Sequence, residues 1–179
     1  MTAVNKMVLI LGGARSGKSS YAQKIAADRG GKVLFCATAQ PLDKDMRERI
    51  RAHRRSRPSG WDTLEASDNL AAALEGKTGK YATVIVDCIT LLAANCIGRI
   101  TDSRKAGKCV DVEIRDLIRL MQRSPCNFIL VSNEVGGGIV PDNALARVYR
   151  DALGRANQQL AAAAGQVILM TAGLPLKLK

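Results

Sequence analysis

Met7-Val8-Leu9-Ile10-Leu11-Gly12-Gly13-Ala14-Arg15-Ser16-Gly17-Lys18-Ser19 decides how this chain of 179 residues is read. Five apolar residues run straight into a complete G-x-x-x-x-G-K-S. Strand, glycine loop and helix in that order are what a nucleoside-triphosphate P-loop requires. The glycines let backbone N–H groups turn inward around phosphate oxygens, and the helix N-terminus behind them adds partial positive charge. Lys18 is positioned to reach the β- and γ-phosphates as a point charge, and the Ser19 hydroxyl to ligate Mg²⁺.

Strands and helices alternate outward from that loop. Residues 17 to about 29 form the helix after it, stopped by Gly30-Gly31, and Lys32-Val33-Leu34-Phe35-Cys36-Ala37-Thr38 is a second strand. Asp43 caps a helix running to about Arg55, and Trp61-Asp62-Thr63-Leu64-Glu65 has the alternation of a short strand. Ser67 then caps a helix through Leu74, and Tyr81-Ala82-Thr83-Val84-Ile85-Val86-Asp87 is a buried-type strand ending in a carboxylate. A helix over 90–97 leads into a polar loop, 98–108, followed by helical periodicity over 110–123. Asn127-Phe128-Ile129-Leu130-Val131-Ser132 and Gln166-Val167-Ile168-Leu169-Met170-Thr171 are further strands. Between them lies the longest expected helix, capped by Asp142 and running to about Ala164. Near-continuous apolar strands separated by helices imply a parallel sheet covered on both faces. The fold class expected is therefore α/β, a single P-loop NTPase domain over residues 1–179 with a mostly parallel sheet.

Composition narrows the partners. With 47 % apolar and 24 % charged residues the chain is ordinary for a globular protein, and no apolar run nears the ~18 residues of a membrane span. Residues 1–6 show no secretory pattern, so a cytoplasmic protein is expected. Five cysteines without CxxC spacing suggest reduced thiols rather than disulfides or zinc. A net charge of +11 favours anionic partners, but aromatics make up only 3 %, which leaves few stacking platforms for nucleic acid. Phosphorylated small molecules fit the charge equally well.

In such sheets ligands bind beyond the carboxyl ends of the strands, where the P-loop, Ala37-Thr38-Ala39, Asp87 and Asn133-Glu134-Val135-Gly136-Gly137-Gly138 all fall. Asp87 follows Val84-Ile85-Val86 as a Walker-B carboxylate would, a position also suited to capping the next helix. The segment 46–58 carries Arg47, Arg49, Arg51, Arg54, Arg55 and Arg57 around His53, the sole histidine. Met46, Ile50 and His53 share a helical face, which should dock on the body. Such a histidine can be purely structural, and such an arginine run can be a solvated face. Near a P-loop, however, guanidinium groups clamp phosphates, and a neutral imidazole among them is a nucleophile toward phosphorus.

Four segments carry a resemblance to a known family. They are Gly12 to Ser19, Ala37-Thr38-Ala39, His53-Arg54-Arg55-Ser56-Arg57-Pro58, and Asn133-Glu134-Val135-Gly136-Gly137-Gly138-Ile139-Val140-Pro141. Together with Asn143-Ala144-Leu145-Ala146-Arg147 and Gly154-Arg155-Ala156-Asn157-Gln158 they resemble the adenosylcobinamide kinase / adenosylcobinamide-phosphate guanylyltransferase family. The resemblance implies phosphorylation of adenosylcobinamide by a nucleoside triphosphate, ATP or GTP, with Mg²⁺. It further implies transfer of GMP from GTP to adenosylcobinamide phosphate through a covalent bond to His53. By the same match, Ala37, Thr38, Ala39, Arg54, Arg55, Ser56, Arg57, Glu65 and Asp87 line the nucleotide site, while the P-loop and Walker-B patterns make Ser19 and Asp87 the expected metal ligands. The family commonly has Glu where this chain has Asp87, so a water can bridge the missing methylene. Homo-oligomers, commonly trimers, are also implied, with neither nucleic acid nor a membrane span as partner. Two other readings fit parts of the pattern: another small-molecule P-loop kinase, which gives His53 no role, and a basic ATP-dependent nucleic-acid module.

Overall fold

The computed structural model describes residues 6–55, 57–100 and 102–179, and the side chains of all of these but 103 and 104. Ser56, one of the expected site residues, lies outside them. The strands are β1 (Met7–Gly12), β2 (Val33–Ala37), β3 (Asp62–Glu65), β4 (Thr83–Asp87), β5 (Asn127–Val131), β6 (Gln166–Thr171) and β7 (Leu174–Lys177). They form one sheet in the order β3-β2-β4-β5-β1-β6-β7, parallel except for β7, which runs antiparallel to β6. The helices are α1 (Lys18–Arg29), α2 (Lys44–Arg55), α3 (Leu70–Leu74), α4 (Ile89–Gly98), α5 (Ser103–Arg123) and α6 (Ala144–Ala163). The expected α/β class with a mostly parallel sheet is what forms.

Period-two alternation divides each central strand between two cores. Val8 and Ile10 of β1, Phe35 of β2, Ile85 of β4 and Ile129 of β5 face α1, where Ala22 and Ala26 bring the helix backbone close. Leu9, Leu34, Val84, Val86, Phe128 and Leu130 face the other way, onto α3, α4, α5 and α6. Each fully buried aliphatic side chain contributes ~1.5–3 kcal/mol, so the four-helix face holds the larger share of the stabilisation.

α2 departs from expectation. None of its side chains is buried; Met46 and Ile50 are half-covered and His53 is exposed. Six arginines and lysines around two aliphatic residues leave too narrow a stripe to dock. Local bonds hold the helix instead: Asp43 Oδ1 accepts from Met46 N at 2.7 Å, and Asp45 pairs with Arg49 one turn on.

Other differences have simple causes. The expected loop 98–108 is mostly helix, because α5 begins at Ser103, and at 21 residues α5 rather than α6 is the longest helix. Asn143, not Asp142, caps α6, accepting from the Leu145 and Ala146 amides. Ser67 does not cap α3. Its first amides are bonded by a carboxylate distant in sequence: Glu113 of α5 accepts from Asn69 N at 3.1 Å and from Leu70 N at 2.7 Å. β7 was not foreseen, because Pro175 and the turn at Ala172-Gly173 hide its alternation. Gly173 has φ +82°, a conformation that suits glycine, and Ala172 beside it has φ 51°.

Because one carboxylate accepts both hydrogen bonds at the N-terminus of α3, Glu113→Ala should cost ~1–2 kcal/mol in urea-induced unfolding. Glu113→Gln, with a single acceptor oxygen, should recover part of that loss. Equal stability of Glu113→Ala and wild type would show that the cap is energetically idle.

Candidate active site

The P-loop spans the gap between β1 and α1, and two of its glycines are obligatory. Gly12 sits at φ +149°, where a Cβ would lie 2.4 Å from the Met170 carbonyl oxygen. Gly17, at φ +95°, is the residue preceding α1 and turns the chain into the helix. Ser16 is buried and its carbonyl accepts from Gly173 N at 3.1 Å, so the β6–β7 turn buttresses the loop. Gly13, Ala14 and Arg15 are exposed, and Arg15 adopts φ 57°. Lys18 is only 7 % exposed, and its ammonium donates back to Gly13 O and, at 3.4 Å, to Ser16 Oγ. Burial pulls its pKa below the usual lysine value, with the opposing pull of Cys88 and Asp87 smaller. A cation held inside the loop it will serve needs little reorganisation to meet phosphate.

Sheet register lines up the remaining strand ends. Ala37 pairs with Glu65 on one side and Asp87 on the other, and Asp87 pairs with Val131. Asp87 accepts a hydrogen bond from Ser19, and the charges of His53, Arg57 and Lys18 reach it. Burial outweighs these and raises its pKa above the usual carboxylate value. The two expected metal ligands, Ser19 and Asp87, are thus in contact, and His53 lies near enough to act on the same carboxylate. Among the described residues no group of three or more His, Cys, Asp or Glu is arranged to hold a metal ion. Two hard oxygen donors suit an ion that arrives with its own phosphate ligands and waters.

Thr38 is brought to this corner but its side chain is already engaged. Its hydroxyl donates to Cys88 O at 2.7 Å and accepts from Cys88 N at 2.8 Å, stapling β2 to the turn after β4. Asn95 of α4 donates to Thr38 O and to Ser67 O, both at 2.9 Å. Ala37 is buried, whereas Ala39 is half-exposed.

At the sheet edge, α2 and β3 enclose a cleft of about 600 Å³ lined by Arg54, Arg57, Pro58, Ser59, Trp61, Thr63 and Glu65. The Arg57 guanidinium lies 3.9 Å over the Phe35 ring, a cation–π contact, and its Nη1 reaches Thr63 Oγ1 at 3.4 Å. Its Nε is buried with no hydrogen-bond partner among the described residues. Burial lowers the Arg57 pKa, Asp87 opposing. Arg54 pairs with Glu65, both about half exposed, which contributes ~0–1 kcal/mol in water. Arg55 is exposed on α2.

Several residues of the site escaped sequence reading. Phe35 looks like any strand hydrophobe, and Asn95 gives no periodic signal within α4. Asn157 is buried in α6, accepts from Ser132 Oγ at 2.7 Å and donates to Asn133 O at 3.0 Å. It thereby fixes the loop after β5, whose Glu134 N bonds Gly12 O at 3.1 Å.

A parallel sheet ending in a glycine loop, an enclosed lysine and a strand-end carboxylate is the framework of P-loop enzymes that act on nucleoside triphosphates. The profile of the family described as cobinamide kinase / cobinamide phosphate guanyltransferase matches residues 8–178. A bifunctional adenosylcobalamin biosynthesis protein, CobU, of Escherichia coli K12 is 40 % identical over 97 % of this chain and 99 % of its own. Its namesake in Salmonella typhimurium LT2 is equally similar, and the counterpart CobP of Pseudomonas aeruginosa is 42 % identical over 96 % of both chains. The chain belongs to this cobinamide kinase / cobinamide phosphate guanyltransferase family, and it is an enzyme of cobalamin biosynthesis.

Because the raised Asp87 pKa reflects costly ionisation in the folded state, this group's contribution to stability falls as pH climbs from about 3.8 through its folded value. The melting-temperature difference, Asp87→Asn minus wild type, should therefore be larger at pH 8 than at pH 4.5. A difference independent of pH would mean that the carboxylate is not strained by burial.

Proposed function

We propose that residues 1–179 act as one bifunctional domain that phosphorylates adenosylcobinamide and then guanylylates the product. In the first reaction a nucleoside triphosphate, ATP or GTP, lies in the P-loop with Gly12 to Ser19 around its phosphates, and Lys18 balances charge on the γ-phosphoryl group. When bound, Mg²⁺ would neutralise and align phosphate oxygens, and Ser19 and Asp87 are the residues that would hold it. The acceptor is the hydroxyl of the cobinamide side arm, and the product is its phosphate ester.

In the second reaction a ring nitrogen of His53 attacks the α-phosphorus of GTP. The bond to the bridging oxygen breaks, and pyrophosphate departs among Lys18 and the loop amides. A phosphate oxygen of adenosylcobinamide phosphate then displaces His53 from the phosphoramidate, giving adenosylcobinamide-GDP and a free imidazole. Splitting one transfer between two anions into two steps is the gain from a covalent intermediate. Arg54, Arg55 and Arg57, with Glu65 for the guanine N–H groups and Ala37 to Ala39 beside them, form the remaining nucleotide contacts. The single observation that carries this reading is one of placement: His53, on a helix with no buried residues, lies within reach of the same Asp87 carboxyl that Ser19 hydrogen-bonds.

GTP labelled at the α-phosphate should leave acid-labile, base-stable label on the denatured wild-type chain and none on His53→Ala. That variant should lose guanylyl transfer by ~10³-fold or more while still phosphorylating cobinamide. Label persisting on His53→Ala, or wild type turning over GTP to the final product with no trapped label, would overturn the covalent route.

A further inference from the structure

The rim of the P-loop is chemically lopsided. On the β2–β3 side stand the arginines of α2 and the cleft of Arg54 and Arg57. On the β5 side runs the segment 133–142, joined to the loop through Glu134 N and Gly12 O at 3.1 Å. In a chain of net charge +11 this segment has two carboxylates, Glu134 and Asp142, and no lysine or arginine. It also displays aliphatic surface: Ile139 is 97 % exposed and Val140 59 %, with Leu145 50 % exposed at the start of α6. Aliphatic side chains this bare beside a phosphate-binding loop are suited to covering by a ligand or partner.

The segment is nonetheless held. Asn157 and Thr90 fix Asn133, the latter by accepting from Asn133 N at 2.7 Å. Arg147 Nη1 donates to Pro141 O at 2.8 Å and to Asp142 O at 2.6 Å, tying the far end to α6 and directing that cation onto carbonyls. The stretch between these anchors is therefore tied at both of its ends.

We infer that Ile139, Val140 and Leu145 receive the corrin face of the acceptor, a placement that rests on the proposed cobinamide reading. The acceptor hydroxyl must meet the γ-phosphate above the P-loop, so the attached macrocycle has to lie on one rim or the other. A corrin carrying cobalt(III) and an organic axial ligand has alkyl-studded faces and a net positive charge. The arginine rim repels that charge and offers little aliphatic surface, whereas the β5 rim supplies aliphatic contact with carboxylates at its flanks.

Equilibrium dialysis of adenosylcobinamide, followed by corrin absorbance with a non-hydrolysable ATP analogue present, tests the placement. Ile139→Ser/Val140→Ser should weaken corrinoid binding by ~10-fold or more, from the loss of two aliphatic contacts. Leu176→Ser, on a leucine of β7 about as exposed as Val140, should bind as wild type does, and affinity for the ATP analogue should be equal in all three proteins. Wild-type affinity in the double variant would overturn the docking surface and leave the proposed function standing. So would a variant whose only change, by sedimentation, is a smaller assembly, since the stretch would then belong to a second copy of the chain. Failure of the wild type itself to take up the corrinoid would overturn the proposed function and the docking surface together.

Discussion

Keeping a carboxylate charged at the end of a buried strand is the constraint on which the site depends. Asp87 terminates β4 in the middle of the sheet, where burial works against its ionisation. The surroundings offset that cost piecemeal: a hydroxyl from α1, an ammonium inside the P-loop, a guanidinium lying on Phe35, and an imidazole from α2. They come from the start of α1, from α2 and from the stretch that follows α2, so their convergence joins segments far apart in the chain. The same groups that ease the carboxylate are those that would meet a polyphosphate.

Rigid parts and loose parts are divided cleanly around this point. Thr38 and Asn95 lock β2, β4, α4 and the chain after β3 into one block through bonds of 2.7–2.9 Å. Asn157 does the same for the turn after β5. α2 stands outside this network, held by the Asp43 cap, the Asp45–Arg49 pair and the Arg54–Glu65 pair with β3.

Much of this was legible from residue order. Apolar runs of five or six residues between capped helices marked the parallel strands, because strands buried on both faces need no polar alternation. The P-loop announced itself, since few other uses demand glycine, lysine and serine at those spacings. The docking of α2 did not follow, because periodicity counts apolar positions without weighing the cations beside them. The cap of α3 was hidden for a different reason: Glu113 lies more than forty residues beyond the amides it bonds, and no local pattern encodes such a reach. β7 was obscured by its proline. The cleft beside β3 was legible only as arginines and a glutamate. That Phe35 would be the floor under Arg57 depended on register, which three-dimensional pairing alone provides.

The unequal cover of the two sheet faces has an evolutionary corollary. Four helices clasp one side and supply most of the cohesion, while the opposite side keeps α1 and leaves its outer strands to arginine, tryptophan and threonine. Sequence drift in α2 and along β3 can therefore alter what is grasped without loosening what holds the molecule together. Apart from the residues proposed to grip the nucleotide, α2 and β3 should be where paralogues diverge fastest, and the thickly covered side should change slowly and in compensating pairs.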